Sequence, residues 1–219
     1  SEEKIFHDQY ISLKRYQMES QCLQDFCLNK ERASSETLAF FDGSLLISFA
    51  EILMDLHRNE YLGSVMDLLE TSLQTQVPVM GYVDTSAARD LVRMLSLFFF
   101  ESSLAHNEGV RDTDITDIVL PNWGDRTIAF HLLRPGILGQ YNNIGGGLGF
   151  FYLRTSMSRP PARVEFPLWI LEAGLLDTLV DMIRAEVVVG NGYPYAIETA
   201  DQVAWFSPHD RSRFARTLH

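Results

Sequence analysis

Cysteine, lysine and long apolar runs are all scarce in this chain, and each scarcity excludes something. Only Cys22 and Cys27 occur in 219 residues. Their spacing is neither a redox Cys-x-x-Cys nor half of a zinc site, so the expectation is two reduced core thiols in a cytoplasmic protein. The longest apolar stretch, Leu95–Phe100, is interrupted by Ser96. It is far shorter than the roughly 18 to 20 residues that a membrane-spanning helix needs. The opening Ser1-Glu2-Glu3-Lys4 lacks the basic-then-apolar order of a secretory signal. No Gly-x-Ser-x-Gly occurs, so a serine-hydrolase elbow is not indicated. The glycine-rich segment 145–149 lacks the Lys-Ser/Thr of a phosphate-binding loop. His57, His106, His131 and His209 have no partners at metal-ligand spacing.

What is present is enough apolar material, 46%, to bury one sizeable core, which fits one domain or one with an appendage. The net charge of −11 excludes a surface coated with positive charge for nucleic acid. The charge is unevenly spread. Residues 1–125 carry 9 basic and 21 acidic side chains, whereas residues 126–219 carry 9 Arg and 8 acids. The three lysines, Lys4, Lys14 and Lys30, are all early. Arginine grips phosphate bidentately, so a DNA backbone would favour the second half. The acids of the first half either hold metal ions or solvate the surface.

Periodicity outlines the elements. Residues 8–30 read as helix and 30–36 as a loop. Thr37–Ser48 is apolar apart from Asp42-Gly43-Ser44, which predicts a hairpin or two strands meeting at a turn. Glu51–Gln74 has helical spacing, Val77–Val83 is a compact strand, and Ser86–Leu97 is a helix with Thr85 or Ser86 as N-cap. Glu101–Asp117 is acidic and reads as a mobile loop. Arg126–Leu133 reads as a strand. Gly149–Thr155 and Arg163–Phe166 form a hairpin pair around Arg159-Pro160-Pro161. Pro167–Val189 is one amphipathic helix, and Ala196–Trp205 another. This rhythm is that of an α/β protein with a mixed or parallel sheet.

Asp42 emerges from the apolar Leu38-Ala39-Phe40-Phe41 and is followed by glycine. It reads either as an ordinary turn aspartate or as a ligand for a hard divalent ion held at a strand end.

The segment Leu38-Ala39-Phe40-Phe41-Asp42-Gly43-Ser44-Leu45-Leu46 resembles the internal Asp-Gly-Ser-Leu strand of the NurA nucleases. Val77–Val83 follows it after a long helix as in that family, and Phe150-Phe151-Tyr152-Leu153-Arg154 resembles the family's Tyr-bearing strand. Arg163-Val164-Glu165-Phe166-Pro167 resembles the strand before its penultimate helix, and Gly192-Tyr193-Pro194-Tyr195 with the following Ala196–Asp201 resembles its closing Gly-Tyr-Pro-Tyr segment. These segments occur in the family's order and span most of 11–218. The resemblance implies an RNase H-like mixed central β-sheet flanked by helices, with 1–219 forming a single nuclease domain. It implies cleavage of DNA phosphodiesters at double-strand breaks with Mn²⁺ or Mg²⁺, in a homodimer working with a HerA-type hexameric ATPase. Matched position by position, Asp42 takes the place of the internal metal-ligand aspartate, Glu19 of a helix glutamate, and Tyr152 of the functional tyrosine. Asp201 stands where many relatives have histidine. Arg154, Arg159 and Arg163 would clamp the DNA. The family also has an earlier Asp-Gly-Ser with a principal metal ligand, whereas this sequence contains one such motif, in the context of the second. The expectation is that the N-terminal part of the family domain is not included. A non-catalytic interaction subunit on the same fold is the alternative reading. A generic α/β domain that uses the Arg cluster to bind a small acidic ligand is a third.

Overall fold

In the computed structural model, residues 2–29, 31–34, 36–47, 55–100, 109–132, 136–144 and 146–204 are described. The helices are α1 (Glu2–Leu28), α2 (Asp55–Thr75), α3 (Asp90–Phe100), α4 (Asp112–Val119), α5 (Trp169–Glu172), α6 (Leu176–Val189) and α7 (Tyr195–Ala204). The strands are β1 (Ala39–Asp42), β2 (Val79–Val83), β3 (Phe130–His131), β4 (Leu148–Leu153) and β5 (Ala162–Pro167).

The five strands form one mixed sheet in the order β1-β2-β5-β4-β3. β1 and β2 run parallel, with Asp42 opposite Tyr82, and the remaining pairs are antiparallel. Period-two alternation divides the strand side chains between two cores. Ala39, Phe41, Val79, Leu148, Phe150 and Tyr152 join the core formed with α1 and α2. Met80, Tyr82, Phe151, Leu153, Val164 and Phe166 join the core formed with α5, α6 and α7. Burial on both faces explains why β4 reads as a continuous apolar run, whereas β5, equally buried, carries Arg163 and Glu165 as an ion pair.

α1 buries Leu13, Ser20 and Cys27 fully, with Tyr16, Leu23 and Phe26 packed beside them. The three-and-four spacing makes one stripe. That stripe lies on α2, where the Tyr16 ring meets Tyr61 edge-on at 5.1 Å and Phe41 of β1 at the same distance. The register of α1 therefore fixes where its exposed side chains, Arg15 and Glu19 among them, stand relative to β1.

Several sequence expectations are corrected. Thr37–Ser48 is not a hairpin: β1 pairs in parallel with β2, and residues 43–47 leave the sheet. Side chains satisfy the backbone there. Leu46 N–H donates to Glu165 at 3.0 Å, and the Tyr141 hydroxyl donates to the Leu45 carbonyl at 3.0 Å. Residue 48 lies outside the described residues, as do 51–54 of the expected Glu51–Gln74 helix. The acidic segment read as a loop contains helix α4, while 101–108 lie outside the described residues. Asp112 is fully buried because its carboxylate accepts the free N–H groups of Leu91 and Val92 at 3.1 and 2.9 Å, capping α3 from another element. α3 begins at Asp90 rather than Ser86, and the Ser86 hydroxyl instead accepts from Ala88 N–H before the helix. The expected strand 126–133 contracts to Phe130–His131 plus an isolated bridge from Arg126 to Leu153. The single helix predicted over Pro167–Val189 is two, parted at Ala173-Gly174-Leu175, where glycine is a poor helix former.

Candidate active-site cleft beside the edge strand

β1 is one of the two edge strands of the described sheet, and Asp42 closes it at its carboxyl end. Gly43 follows with φ +128°, a conformation that L side chains rarely adopt, and this lets the chain leave the sheet immediately after the carboxylate. Asp42 itself is exposed. Its Oδ1 accepts a hydrogen bond from the Tyr193 hydroxyl at 3.1 Å.

Tyr193 is delivered by the turn between α6 and α7. Gly190 N–H donates to Glu186 O, and Gly192 N–H to Val187 O at 2.8 Å. A Cβ on Gly190 would lie 1.9 Å from the Tyr193 carbonyl oxygen, so the turn closes only around glycine. α7 then starts at Tyr195, with Glu186 accepting Ala196 N–H at 2.8 Å. The Tyr193 ring meets the buried Tyr82 ring edge-on at 5.4 Å. Burial, with Asp42 next to the hydroxyl, pushes the Tyr193 pKa well up, so the phenol is protonated and donates.

Two adjoining clefts meet at Asp42. One, of about 280 Å³, is lined by Arg15, Tyr16, Glu19, Asp42 and Ser44 among others. The second, of about 370 Å³, is lined by Glu19, Leu38, Phe40, Asp42, Ile197 and Asp201 among others. The three carboxylates picked from the sequence, on α1, β1 and α7, thus border one recess. Glu19 accepts from Arg15 Nε at 2.7 Å. The donor chemistry suits a hard divalent ion. The spacing does not gather three such groups around one point among the described residues.

Tyr152 lies elsewhere. It is fully buried on the opposite face, and its hydroxyl donates to Asp112 at 2.9 Å. Burial foremost raises its pKa, with Arg163 opposing and Asp112 reinforcing. Arg163 is buried beside it, with Nε on Glu165 at 2.7 Å, Nη1 on Asp90 at 3.1 Å, and its guanidinium 4.0 Å from the Phe150 ring centre. Burial works against the charge of Arg163, but Glu165, Tyr152 and Asp90 outweigh it and hold its pKa up. The other oxygen of Glu165 accepts from Ser44 Oγ at 2.7 Å, so this network fastens the turn that follows Asp42. A recess of about 350 Å³ opens over it, and Ser44 lines both this recess and the Arg15 cleft.

The remaining arginines serve the frame. Arg154 is buried and holds the carboxyl end of α4, donating to Leu120 O, Asp117 O and the Asp117 carboxylate. Arg159 spans Asp84 at 2.8 Å and Gly192 O at 2.9 Å, tying the end of β2 to the turn that carries Tyr193. It is the one of the three that keeps substantial exposure, 38% of its side chain. Sequence reasoning missed Tyr193, although it stands in the Gly-Tyr-Pro-Tyr segment, and Glu165, although it stands in the Arg-Val-Glu-Phe strand. His106 and His209 lie outside the described residues.

A mixed α/β domain with an acidic cleft at the carboxyl end of an edge strand is thus defined. The model of the NurA domain matches residues 2–206, and the chain belongs to the NurA family, a nuclease family acting on DNA. Neither a curated protein nor a solved structure matches it. Among the described residues no helix is long and apolar enough to cross a membrane.

Proposed function

We propose that this chain is a metal-dependent DNA nuclease that processes ends at double-strand breaks, with its chemistry in the cleft around Asp42. The observation that carries this reading is the convergence of Glu19, Asp42 and Asp201, from separate elements, on one recess, with Tyr193 hydrogen-bonded to Asp42. Asp42 would hold Mn²⁺ or Mg²⁺ together with Asp201 or Glu19. Such an ion, when bound, activates water and stabilises the leaving oxygen of an in-line displacement. The chain's own part is positional. Tyr193 fixes the orientation of the Asp42 carboxylate, and the Glu165–Ser44 bond anchors the turn behind it. Tyr193, rather than the buried Tyr152, is the tyrosine that hydrogen-bonds Asp42.

The reading includes an RNase H-like description of the sheet, a homodimer, a cytoplasmic setting and a HerA-type ATPase partner. Support for the partner is electrostatic: a chain of net charge −11 grips DNA weakly, and a partner that feeds the duplex removes that need. The setting agrees with two free thiols.

The test is cleavage of linear single- and double-stranded DNA with Mn²⁺, with Mg²⁺ and with EDTA, comparing wild type with Asp42→Ala. Metal-dependent cleavage abolished in Asp42→Ala is the expected result. No cleavage by the full-length protein with its ATPase would favour a non-catalytic NurA-like subunit. That second reading draws on the carboxylates' failure to close on a single point among the described residues.

A further inference from the structure

A phosphodiester approaching Glu19, Asp42 and Asp201 meets three like charges, which a protein cation beside them offsets together with any bound divalent ion. Among the described residues lining the two clefts there is one, Arg15. We propose that Arg15 is the phosphate-positioning residue of this cleft, gripping the backbone of the bound DNA strand beside Asp42 while Glu19 orients its guanidinium. The proposal rests on the nuclease reading above and adds a substrate contact to it.

Three observations support the assignment. First, the bond to Glu19 uses Nε and leaves the two terminal nitrogens, the pair that engages phosphate oxygens bidentately. Second, 70% of the Arg15 side chain is exposed, so a strand lying in the cleft reaches it. An exposed i,i+4 ion pair contributes little in water, so Glu19 steers the guanidinium without withholding it. Third, its position is fixed by the fold. The neighbouring Tyr16 is wedged between Tyr61 and Phe41, so Arg15 cannot move away from β1 without α1 moving too. The Glu19 hydrogen bond and charge, with smaller effects from Asp42 and Asp201, also raise its pKa, so its charge responds to all three acids of the cleft.

The experiment is anisotropy of a fluorescein-labelled single-stranded oligonucleotide, titrated with the full chain at low salt in EDTA, followed by a salt series. Wild type, Arg15→Ala, Arg15→Lys and Asp42→Asn are compared after their folding is checked by circular dichroism. Arg15→Ala is expected to weaken binding about tenfold and to lower the salt slope by about 0.7, the value for one lost contact on a single strand. Arg15→Lys restores the slope but only part of the affinity, because ammonium is a point charge. Asp42→Asn tightens binding by removing a repelling charge. Equal affinity and slope in wild type and Arg15→Ala, with Asp42-dependent cleavage intact, would overturn the Arg15 assignment alone. The assignment also falls if Arg15→Ala raises Mn²⁺ affinity while leaving DNA binding unchanged, since Arg15 would then be only a counter-ion to the carboxylates. A wild type that neither binds nor cleaves DNA would sink the nuclease reading together with this one.

Discussion

The Tyr193 hydroxyl donates to Asp42 Oδ1 at 3.1 Å across 151 positions of sequence. The bond locks the end of an edge strand to the turn before α7, and with it the two halves of the cleft. Tyr193→Phe removes the donor and little else. Because Asp42 is exposed, stability should change by no more than about 1 kcal/mol. Cleavage should fall about 10- to 100-fold, the usual cost of losing a partner that orients a metal-site carboxylate. A cleavage rate equal to wild type would remove Tyr193 from the site.

Gly190→Ala tests the same bond from a distance. The added methyl collides with the Tyr193 carbonyl, so the turn must open. A loss of about 2 kcal/mol in urea unfolding is expected. Residual activity should resemble that of Tyr193→Phe even where the variant remains folded.

The network under Ser44 should behave as structure. Glu165→Ala leaves the Arg163 charge buried without its closest partner, at a cost of about 3–5 kcal/mol. Tyr152→Phe leaves Asp112 short of one donor, at about 1–3 kcal/mol. Equilibrium denaturation of both variants measures the ranking, and a larger loss for Tyr152→Phe would refute it.

Alkaline pH should destabilise the fold. Burial pushes the Cys27 thiol from 9.0 up to about 11, and the Tyr82 phenol from 10.0 up to about 12. Tyr141 and Tyr152 are also raised, chiefly by burial. The folded chain therefore holds these protons more tightly than the unfolded chain. Their contribution is complete below about pH 9 and is lost as pH rises from about 9 to 12. Melting temperature measured across that range should fall steadily, and Cys27→Ala should shift the onset upward. A flat profile would contradict the burial of these groups.

Much of this molecule is legible in its sequence, for a local reason. Helices α1 and α2 carry apolar side chains every three or four residues, and β4 and β5 flank a turn with two prolines, so short-range spacing reveals them. Asp42, Glu19 and Asp201 were picked by matching the sequence to the family's segments, and the structure places all three around one recess. The errors share one cause. Asp42-Gly43 has the local chemistry of a hairpin, but β1 finds its partner in β2 beyond a whole helix. Asp112 has the composition of a solvated loop, yet it is buried because α3 supplies the N–H groups its carboxylate needs.

Composition, periodicity and the ordered motifs determined by themselves that this chain is α/β and resembles the NurA nucleases. Only the tertiary structure decided which tyrosine meets Asp42, that Arg154 and Arg163 turn inward, and that Arg15 stands alone as a cation among the cleft-lining residues described. Those outcomes depend on strand order, on strand register and on the packing of α1 and α7 beside β1. These are long-range contacts whose energy comes from burial between segments far apart in sequence, so no local pattern records them.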